Sequence, residues 1–550
     1  MKNFSIVLTI FFISYLPAQP ICNWAKAAHG VGDVVSPQSI CCDGHGNTYV
    51  AGSFNGSQAI TMGSIALNSS GSHDIYVAKY DSLGNVIWAF SGGGTEYDAP
   101  TGISCDVSGA LYLTGLFYSP QFNYRSIILS NPYSANLTSD IFLMKLDSLG
   151  NVVWARSFGG PYEDYANCIC NDSNSNVIIG GVYDDSLNFD STLLWSNGTS
   201  DDIFVTKFDS AGHVIWARSE VGNYQDEVIS MATDASGSVY VCGDFYSTTF
   251  TFGNYSATSP NTGTIFIGKY DQWGTEQWLN VPGGSGYGDL SLSITPDREG
   301  HVYVTGGFYC PFIVFGTDTL INTNGCADFY LAKMNADGSF IWAKGATAYG
   351  GGHCEYGQSV KVSSDDNVYV SGYYTSDTLQ FGSILLTAPG EFFIISFDSS
   401  GTALCAAHAG QSPGNYQISI NADRSVCITG QYEQGNLVCG STVLPLVGTY
   451  DGFVAEYKFD CSASLGYYEL QNDPQFSLFP DPAVSELHLY SRSTVLMNWN
   501  ILDAGGRVIR SGKISGTDTR ISIADLADGI YFLQTDDNAD RATYKFIKAE

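Results

Sequence analysis

The sequence contains few basic residues. Lys and Arg number 23 among 550 residues, against 54 Asp and Glu, which gives a formal net charge of −31. Nucleic acids and anionic lipid surfaces are bound through positively charged protein surfaces, so both are disfavoured as partners. A cationic ligand, a metal ion or a neutral glycan is compatible with this charge. So is the simpler interpretation that the acidic surface only keeps the protein soluble.

Motifs that would indicate a catalytic or metal centre are scarce. The sequence has no HExxH zinc motif and no GK[ST] phosphate loop. Its eight His are scattered and its 14 Cys include no CxxC pair, so a zinc site is not indicated. We therefore expect no cofactor, and we interpret the sequence as giving no support to nucleophilic catalysis.

Long apolar runs are confined to the start of the chain. Residues Met1–Ala18 have the features of a secretory signal peptide, because Lys2 supplies positive charge and Ile6–Tyr15 is apolar. A lipoprotein signal at Cys22 is a weaker alternative, since the two residues before it are Pro and Ile rather than small residues. No later run approaches the ~20 apolar residues of a membrane helix. We expect an exported chain without a membrane span after signal removal.

One stretch recurs along the chain. Its first copy, Asp74–Ala89, reads DIYVAKYDSLGNVIWA. An apolar strand enters, an Asp-x-x-Gly turn reverses the chain and a second strand leaves through Trp, which predicts an antiparallel hairpin. Further copies, some of them degenerate, begin at Asp140, Asp202, Thr264, Asp328, Glu391 and Asp451.

The Trp of this hairpin gives the repeat its period. The Trp positions, with Cys405 in the last slot, are 62 to 66 residues apart: Trp24, Trp88, Trp154, Trp216, Trp278 and Trp342. A near-constant period of this kind indicates a repeat architecture. Each period also contains two earlier strand signals, the second ending in Gly, as in Thr48–Gly52. Four antiparallel strands are therefore predicted for each repeat.

Seven repeats of four strands predict an all-β fold, a seven-bladed β-propeller over residues 19–461. A solenoid would need polar capping repeats, and none is evident. The ends of the array favour a closed ring, because the Trp strand Cys22–Lys26 precedes any first strand and the last hairpin lacks its Trp partner. We expect Cys22–Lys26 to pair with Gly452–Tyr457 as the outer strand of the seventh blade.

Fourteen Cys in an exported chain predict several disulfides. Alignment of the last hairpin with the first places Cys22 and Cys461 on either side of one turn, so a Cys22–Cys461 bond is predicted to lock the ring. Two further bonds, Cys310–Cys326 and Cys427–Cys439, are each predicted to cross-link the long segment that connects the second and third strands of one blade. We call this connecting segment the excursion.

The pattern ISxDxxGNxYVxG followed by DIFxxKxDxxGxxxWA resembles the SBBP-type β-propeller repeats of exported bacterial proteins. The resemblance covers Cys22 to about Cys461 and implies a propeller fold. It implies no single activity, because propellers carry binding and catalysis alike.

The repeat ends at Cys461. Residues 462–475 are expected to be a linker, and alternating strands and Gly-containing turns over 476–550 predict a small Ig-like β-sandwich. This unit resembles the type A sorting domain of the type IX secretion system of Bacteroidetes. The resemblance lies in Phe479–Ala483, Asp503–Arg507, Leu526–Tyr531 and Lys545–Lys548, although Phe479 and Asp481 depart from the family's usual Tyr-Pro-Asn-Pro.

The sorting-domain resemblance implies contact with the type IX secretion machinery and passage across the outer membrane. It also implies removal of the domain, followed by release or attachment at the cell surface. An ordinary Ig-like module is the alternative.

The most regular polar feature outside the turns lies eight residues before the end of each first strand. Carboxylates occupy it in repeats 2 to 6: Asp98, Asp164, Asp226, Asp289 and Glu355. Val35 and Pro413 stand there in repeats 1 and 7. In a propeller the carboxylates would ring one mouth of the central channel and could bind a cation or a cationic group. The structural alternative is that each accepts backbone N–H bonds in its own loop.

Aromatic side chains recur beside these carboxylates. Four Tyr occur in the loops that enter first strands, on the same face as the carboxylates: Tyr97, Tyr162, Tyr224 and Tyr287. Together with Trp195 and Trp273, which fall outside the Trp slot, they are candidates to stack on a glycan, with repeat packing as the alternative. The third strands carry a recurrent Lys that we expect to pair with neighbouring acids or to cover a blade edge: Lys79, Lys145, Lys207, Lys269 and Lys333.

Three functions fit these features. The first is a binding or adhesion scaffold for a glycan or protein ligand at the cell surface, with its site at the carboxylates and Tyr named above. The second is an extracellular enzyme acting on polysaccharide or peptide through the same carboxylates. The third is a structural surface-layer component. Two carboxylates with well-separated pKa values would favour catalysis, whereas similar values would favour binding or structure. We expect the first function.

Overall fold

The protein is described from a computed structural model, in which the chain divides into two compact units, residues 1–462 and 463–550. The structure describes residues 20–30, 34–55, 59–106, 108–196, 201–259, 263–284, 288–322, 325–350, 354–387, 391–409, 414, 416–433, 435–461, 476–479, 485–491, 498–502, 507–513, 518–527, 529–536 and 541–548. The expected signal peptide and linker lie outside these residues.

Within the described part of the first unit, each of the seven repeats forms four antiparallel strands, hydrogen-bonded in the order first, second, third, fourth. The first strands of repeats 1 to 7 are Val34–Cys42, Asp98–Cys105, Asp164–Asn171, Asp226–Thr233, Leu290–Pro296, Glu355–Val362 and Gln417–Ile420. The second strands are Thr48–Asn55, Leu111–Phe117, Val177–Tyr183, Val239–Phe245, Val302–Phe308, Val368–Tyr374 and Val426–Tyr432.

The third strands of repeats 1 to 7 are Asp74–Tyr80, Asp140–Leu146, Asp202–Phe208, Thr264–Tyr270, Asp328–Met334, Glu391–Phe397 and Asp451–Lys458. The fourth strands of repeats 1 to 6 are Val86–Gly93, Val152–Phe158, Val214–Glu220, Glu276–Asn280, Phe340–Gly345 and Ala403–Ala409. The fourth strand of repeat 7 is Ile21–His29, from the start of the described chain.

The N-terminal strand pairs antiparallel with the third strand of repeat 7. Cys22 lies opposite Tyr457, and Ala28 lies opposite Gly452. The predicted pairing of Cys22–Lys26 with Gly452–Tyr457 is therefore present. The first strand of each repeat contacts the first strand of the next, and the first strand of repeat 7 contacts that of repeat 1.

The excursion between the second and third strands forms a short hairpin in each repeat. These hairpins are Ile60–Met62 with Ile65–Leu67, Gln121–Tyr124 with Ile127–Ser130, Ser186–Phe189 with Thr192–Trp195, Thr249–Phe252 with Tyr255–Thr258, Phe312–Phe315 with Asp318–Ile321, Thr378–Phe381 with Ile384–Leu386, and Leu437–Cys439 with Thr442–Leu444. Two short strands, Gly283–Gly284 and Thr347–Tyr349, pair with such hairpins, and Ser134–Asn136 is a 3-10 helix.

The apolar cores lie between consecutive repeats. The second and third strands are buried along almost their whole length, so they are continuous β-branched and aromatic runs rather than alternating ones. One core cluster joins Tyr112 of repeat 2 to Val177 and Phe204 of repeat 3. Another joins Trp24 of repeat 7 to Val50 of repeat 1. Each sheet therefore depends on its neighbours for burial of both faces.

The recurrent Trp and Lys bind one repeat to the next. Trp88 Nε1 and Lys79 Nζ of repeat 1 both donate to the carbonyl of Ser148, in the hairpin turn of repeat 2, at 3.1 and 3.4 Å. The same pair of contacts occurs from repeats 2, 3, 4 and 5 onto the carbonyls of Ser210, Gln272, Ala336 and Ser399. Lys207 also forms an ion pair of 2.8 Å with the buried Asp172.

The Gly of each hairpin turn is required by this packing. Gly274 has φ +81°, in the left-handed region that side chains disfavour, and a Cβ there would lie 2.6 Å from the Trp216 ring of the preceding repeat. The same close approach of Trp to turn Gly recurs between other repeats.

The structure corrects the three predicted disulfides. Its bonds are Cys22–Cys439, Cys41–Cys105, Cys326–Cys354 and Cys405–Cys461. The predicted Cys22–Cys461 bond is wrong because Cys405 occupies the Trp slot of repeat 6 and Cys461 the turn-Gly slot of repeat 7. A residue in the Trp slot meets the turn of the next repeat, so these two form the bond.

The predicted Cys427–Cys439 bond is wrong because the excursion hairpin carrying Cys439 packs beside the N-terminal strand, where Cys22 reaches it. The predicted Cys310–Cys326 bond is wrong because Cys326 lies just before the third strand of repeat 5. That segment contacts the start of the first strand of repeat 6, where Cys354 is located and forms the bond. The Cys310 thiol donates instead to Asp289 Oδ2 at 3.1 Å.

The second unit consists of two antiparallel sheets around one apolar core. One sheet contains Phe476–Phe479, Glu486–Ser491 and Asp518–Ser522. The other contains Val508–Lys513, Asn498–Leu502, Gly529–Asp536 and Arg541–Lys548. The core between them includes Leu487, Leu489, Trp499, Ile501, Ile521 and Leu533.

Candidate binding face

The five predicted carboxylates lie at the beginning of first strands, and all are buried. Their exposed fractions are 8% for Asp289 and 1% or less for Asp98, Asp164, Asp226 and Glu355. At this end of each sheet, the first and third strands begin and the second strand ends. We call the surface formed by these strand ends and their loops the entry face.

Hydrogen bonds within its own repeat hold Asp98 in place. Asp98 accepts bonds from the Ser119 hydroxyl at 2.8 Å and from the Gly94 N–H at 2.7 Å. These are the contacts of the structural alternative, in which the carboxylate organises its own loops.

The same arrangement recurs in the other repeats. Asp226 accepts from the Ser247 hydroxyl at 2.7 Å, Asp164 from the Gly160 N–H at 2.6 Å, and Asp289 from the N–H groups of Tyr309 and Cys310. Glu355 departs from this arrangement, because neither of its carboxylate oxygens has a hydrogen-bond partner among the described residues.

A second series of buried carboxylates was not singled out from the sequence. It consists of the Asp that begin third strands: Asp74, Asp140, Asp202, Asp328 and Asp451. The residue before each of the first four accepts the N–H of the first-series carboxylate of the next repeat, as in Asp98 N to His73 O at 3.0 Å and Glu355 N to Ala327 O at 2.8 Å. Two carboxylates from adjacent repeats therefore meet at one boundary.

Burial is the main influence on the pKa of these groups. It raises the pKa of Asp98 and Asp226 to about 6, and the neighbouring third-strand Asp of the preceding repeat adds to each shift. Burial also raises the pKa of Asp140 to about 7, and that of Glu355 to about 7 with a contribution from Asp328. These four carboxyl groups thus retain protons above the usual pH for Asp and Glu.

The predicted Tyr are exposed above this buried layer. Tyr97, Tyr162 and Tyr224 have exposed fractions of 38%, 51% and 60%. Tyr287 lies outside the residues that the structure describes. The Tyr97 ring packs against His73 and Tyr118, with centroid distances of 4.9 and 6.3 Å.

Acidic side chains of repeats 3 and 4 lie on the same face. Burial raises the pKa of Asp201, and the negative charges of Asp184 and Glu163 raise it further. Burial and the charge of Asp201 raise the pKa of Glu227. Because these positions are not repeated around the chain, periodicity could not reveal them. We call Glu163, Asp184, Asp201 and Glu227 the acidic group.

The two predicted Trp lie elsewhere. Trp195 ends an excursion hairpin, and Trp273 lies in the third-to-fourth strand turn, at the opposite end of its sheet from the entry face. Both are strongly exposed, Trp273 by 68%.

Residues 410–414 match the Gly-x-Ser-x-Gly motif of nucleophile elbows, which the sequence interpretation overlooked. In such an elbow the Ser follows a strand and precedes a helix. Here the flanking elements are the strands Ala403–Ala409 and Gln417–Ile420, and residues 410–413 lie outside the described chain. The context is not that of an elbow.

The residues that the structure describes contain no group of three or more His, Cys, Asp and Glu side chains placed to hold a metal ion. They also contain no helix of the length and apolar character needed to cross a membrane.

Comparison with known proteins identifies the C-terminal unit. Residues 477–549 match the secretion system C-terminal sorting domain family. The chain is therefore exported through the type IX secretion system, whose machinery recognises this domain, and it is delivered to the cell surface or the extracellular space.

Two curated proteins are similar to parts of the chain. An uncharacterized WD repeat-containing protein of Acanthamoeba polyphaga mimivirus is 26% identical over 400 residues, covering 56% of this chain and 28% of its own length. The regulatory protein FlaEY of Caulobacter vibrioides is 28% identical over 287 residues, covering 48% of this chain and 29% of its own. The chain spans less than a third of these relatives.

Among solved structures, Sqt1 of Chaetomium thermophilum aligns with 79% of this chain and 91% of its own, at 10% identity and a TM-score of 0.37. A protein of unknown function from Dyadobacter fermentans aligns with 81% of this chain and 100% of its own, at 10% identity and a TM-score of 0.36. The all-β, repetitive architecture of this chain rests on its own strands and their pairing.

Proposed function

We propose that the seven repeats form a closed, seven-bladed β-propeller of the SBBP type, which acts outside the cell as a binding or adhesion scaffold. Closure is supported by the pairing of the N-terminal strand with repeat 7 and by the contact between the first strands of repeats 7 and 1. Under this proposal residues 19–461 are the functional domain and 476–550 its export signal.

The observation that carries the binding function is the grouping of Tyr and acidic side chains on the entry face at repeats 3 and 4. Tyr162 and Tyr224 are exposed and belong to adjacent repeats, and the acidic group lies in the same two repeats. Exposed aromatic rings supply apolar area with little loss of side-chain entropy. Carboxylates accept bonds from sugar hydroxyls or pair with cationic groups. A glycan or a basic protein segment fits this chemistry.

The buried carboxylates support this face from below. Asp164 and Asp226 hold the loops that carry Tyr162 and Tyr224, so we assign them a positioning role in binding. Asp98, Asp289 and Glu355 occupy the equivalent position at the start of the first strands of repeats 2, 5 and 6.

The enzyme alternative receives less support. Burial raises the pKa of all five first-strand carboxyl groups, so they are shifted in one direction rather than separated into an acid and a base. The five side chains are also buried, where a polymeric substrate does not reach.

The test is a glycan array and a Lys-rich peptide, each probed with the secreted protein and with the double variant Tyr162→Ala, Tyr224→Ala. We expect a bound glycan or peptide, with affinity reduced at least tenfold in the variant, since loss of an aromatic contact at a binding hot spot costs over ~1 kcal/mol. Trp273→Ala is the matched control, because it removes an equally exposed ring from the opposite end of a sheet. Binding that falls equally in the control would overturn the assignment.

A further inference from the structure

Two cysteines outside the four disulfides meet at the boundary between repeat 7 and repeat 1. Cys42 ends the first strand of repeat 1, and Cys427 lies in the second strand of repeat 7. The Thr48 hydroxyl lies 3.8 Å from Cys42 Sγ and 3.2 Å from Cys427 Sγ. Cys427 belongs to the buried core cluster at this boundary, and Cys42 packs against the same cluster. The Cys42 N–H also donates to Ser419 Oγ of repeat 7 at 3.1 Å, which holds the two strands together beside the pair.

The two thiols differ in accessibility. Cys42 is half-buried, and Cys427 is buried. The neighbouring Cys42 side chain and burial raise the pKa of the Cys427 thiol. An external reagent therefore meets Cys42 first, while Cys427 is held beside it in the core between the repeats.

At this boundary the Trp24 ring packs on the turn Gly84 of repeat 1, but the hydrogen bonds that join the other repeats are missing among the described residues. From repeats 1 to 5, the Trp and Lys of one repeat donate to a turn carbonyl of the next, and the Cys405–Cys461 bond replaces them between repeats 6 and 7. In repeat 7 the Lys slot holds Glu456, which accepts bonds from Asn23 and Asn421 of its own repeat. Among the described residues, Trp24 Nε1 has no hydrogen-bond partner.

We propose that Cys42 and Cys427 form a disulfide after export and that this bond joins the last repeat to the first. The oxidant is a disulfide, either a small molecule or a thiol oxidoreductase. The Cys42 thiolate attacks one oxidant sulfur, which forms a mixed disulfide and releases the first thiol. Cys427 then loses its proton to solvent, and its thiolate attacks Cys42 Sγ and releases the second thiol. The protein loses two protons and two electrons, and the oxidant disulfide is reduced to two thiols.

The test uses the full-length protein, incubated with oxidised glutathione, alkylated without reduction and digested with pepsin at acid pH, where disulfide exchange is slow. Cys42 shares its peptide with Cys41, which is bonded to Cys105. We therefore expect a three-peptide species that contains Cys41 and Cys42, Cys105, and Cys427, and that disappears on reduction. Before oxidation the peptides of Cys42 and Cys427 should carry the alkyl label.

Two variants provide the controls. In Cys427→Ser the three-peptide species should be absent and the oxidant should leave the unfolding temperature unchanged. In Cys242→Ser, which alters a buried cysteine in the second strand of repeat 4, oxidation should still form the species and raise the unfolding temperature as in the wild type. The proposal is overturned if Cys42 and Cys427 stay alkylated after oxidation while the four other bonds are intact, or if Cys42 is bonded to another cysteine. The peptide result on the wild type decides the question even if Cys427→Ser fails to fold.

Discussion

Glu355 and Asp328 illustrate how single residues set the boundary between repeats. Both carboxyl groups are buried and belong to repeats 6 and 5, and the negative charge of Asp328 disfavours ionisation of Glu355. Burial and this neighbour raise the pKa of Glu355 to about 7, from 4.5. The folded chain therefore favours the protonated, neutral form of Glu355.

A pH dependence follows for Glu355→Gln. Between pH 4.5 and about 7 the folded chain retains a proton on Glu355 that the unfolded chain has released, so the free energy of unfolding falls as the pH rises through this interval. Above pH 7 the loss is complete. The introduced Gln side chain does not titrate, so the free energy of unfolding of the Glu355→Gln variant does not fall in this way. Relative to wild type, the free energy of unfolding of the variant should rise by on the order of 2 kcal/mol between pH 5 and 8.

The measurement is thermal or denaturant unfolding of both proteins across that range. Asp337→Asn serves as the control, because the pKa of Asp337 lies below 3.8 and its contribution is constant above pH 5. A difference between Glu355→Gln and wild type that does not change with pH would show that Glu355 does not retain a proton in the folded chain.

At the scale of elements, the hairpin turn and the Trp of the preceding repeat form one unit. The sequence predicted the strands and their order because each repeat carries the same apolar runs and turn residues. It did not predict the disulfide partners, because the two cysteines that flank one hairpin turn, Cys22 and Cys461, were taken to be bonded to each other. In the structure Trp216 packs on Gly274 of the next repeat. Once that relation is known, the Cys405–Cys461 bond follows from the alignment alone.

Part of the entry face was predicted from the sequence because its residues recur from repeat to repeat. Repetition revealed Asp98 and its equivalents, together with Tyr97, Tyr162 and Tyr224. The Asp that begin third strands also repeat, but next to an apolar run they were interpreted only as strand boundaries. The acidic group occurs once, so no period could identify it.

A pair of Gly→Ala variants tests the turn-to-Trp contact. Gly274 and Gly109 share φ +81°, but a Cβ on Gly109 has nothing within 4 Å, whereas one on Gly274 meets the Trp216 ring at 2.6 Å. Gly109→Ala should cost about 1 kcal/mol, the penalty of the left-handed backbone. Gly274→Ala should cost a further ~1–3 kcal/mol from overpacking. Equal losses in denaturant unfolding would show that the Trp contact contributes nothing.

At the scale of the whole molecule, the two units have separate tasks. The first buries its apolar surface between repeats, and the second carries the sorting-domain match over residues 477–549. Under the proposed binding function, the first unit could therefore change its ligand without altering export.

A fusion experiment tests this separation. A periplasmically targeted reporter fused to residues 476–550 should appear at the surface or in the medium of a host with a type IX system. The same reporter without the domain should stay in the periplasm. Retention of the fused reporter, with the domain intact by immunoblot, would contradict the role assigned to these residues.

A crystal structure of the mature protein would show whether the seven repeats close into one ring through the N-terminal strand. We expect seven four-stranded sheets around one axis, with Ile21–His29 paired to Asp451–Lys458 and Cys22 bonded to Cys439. Six or eight sheets, an open arrangement, or an N-terminal strand placed away from repeat 7 would contradict it.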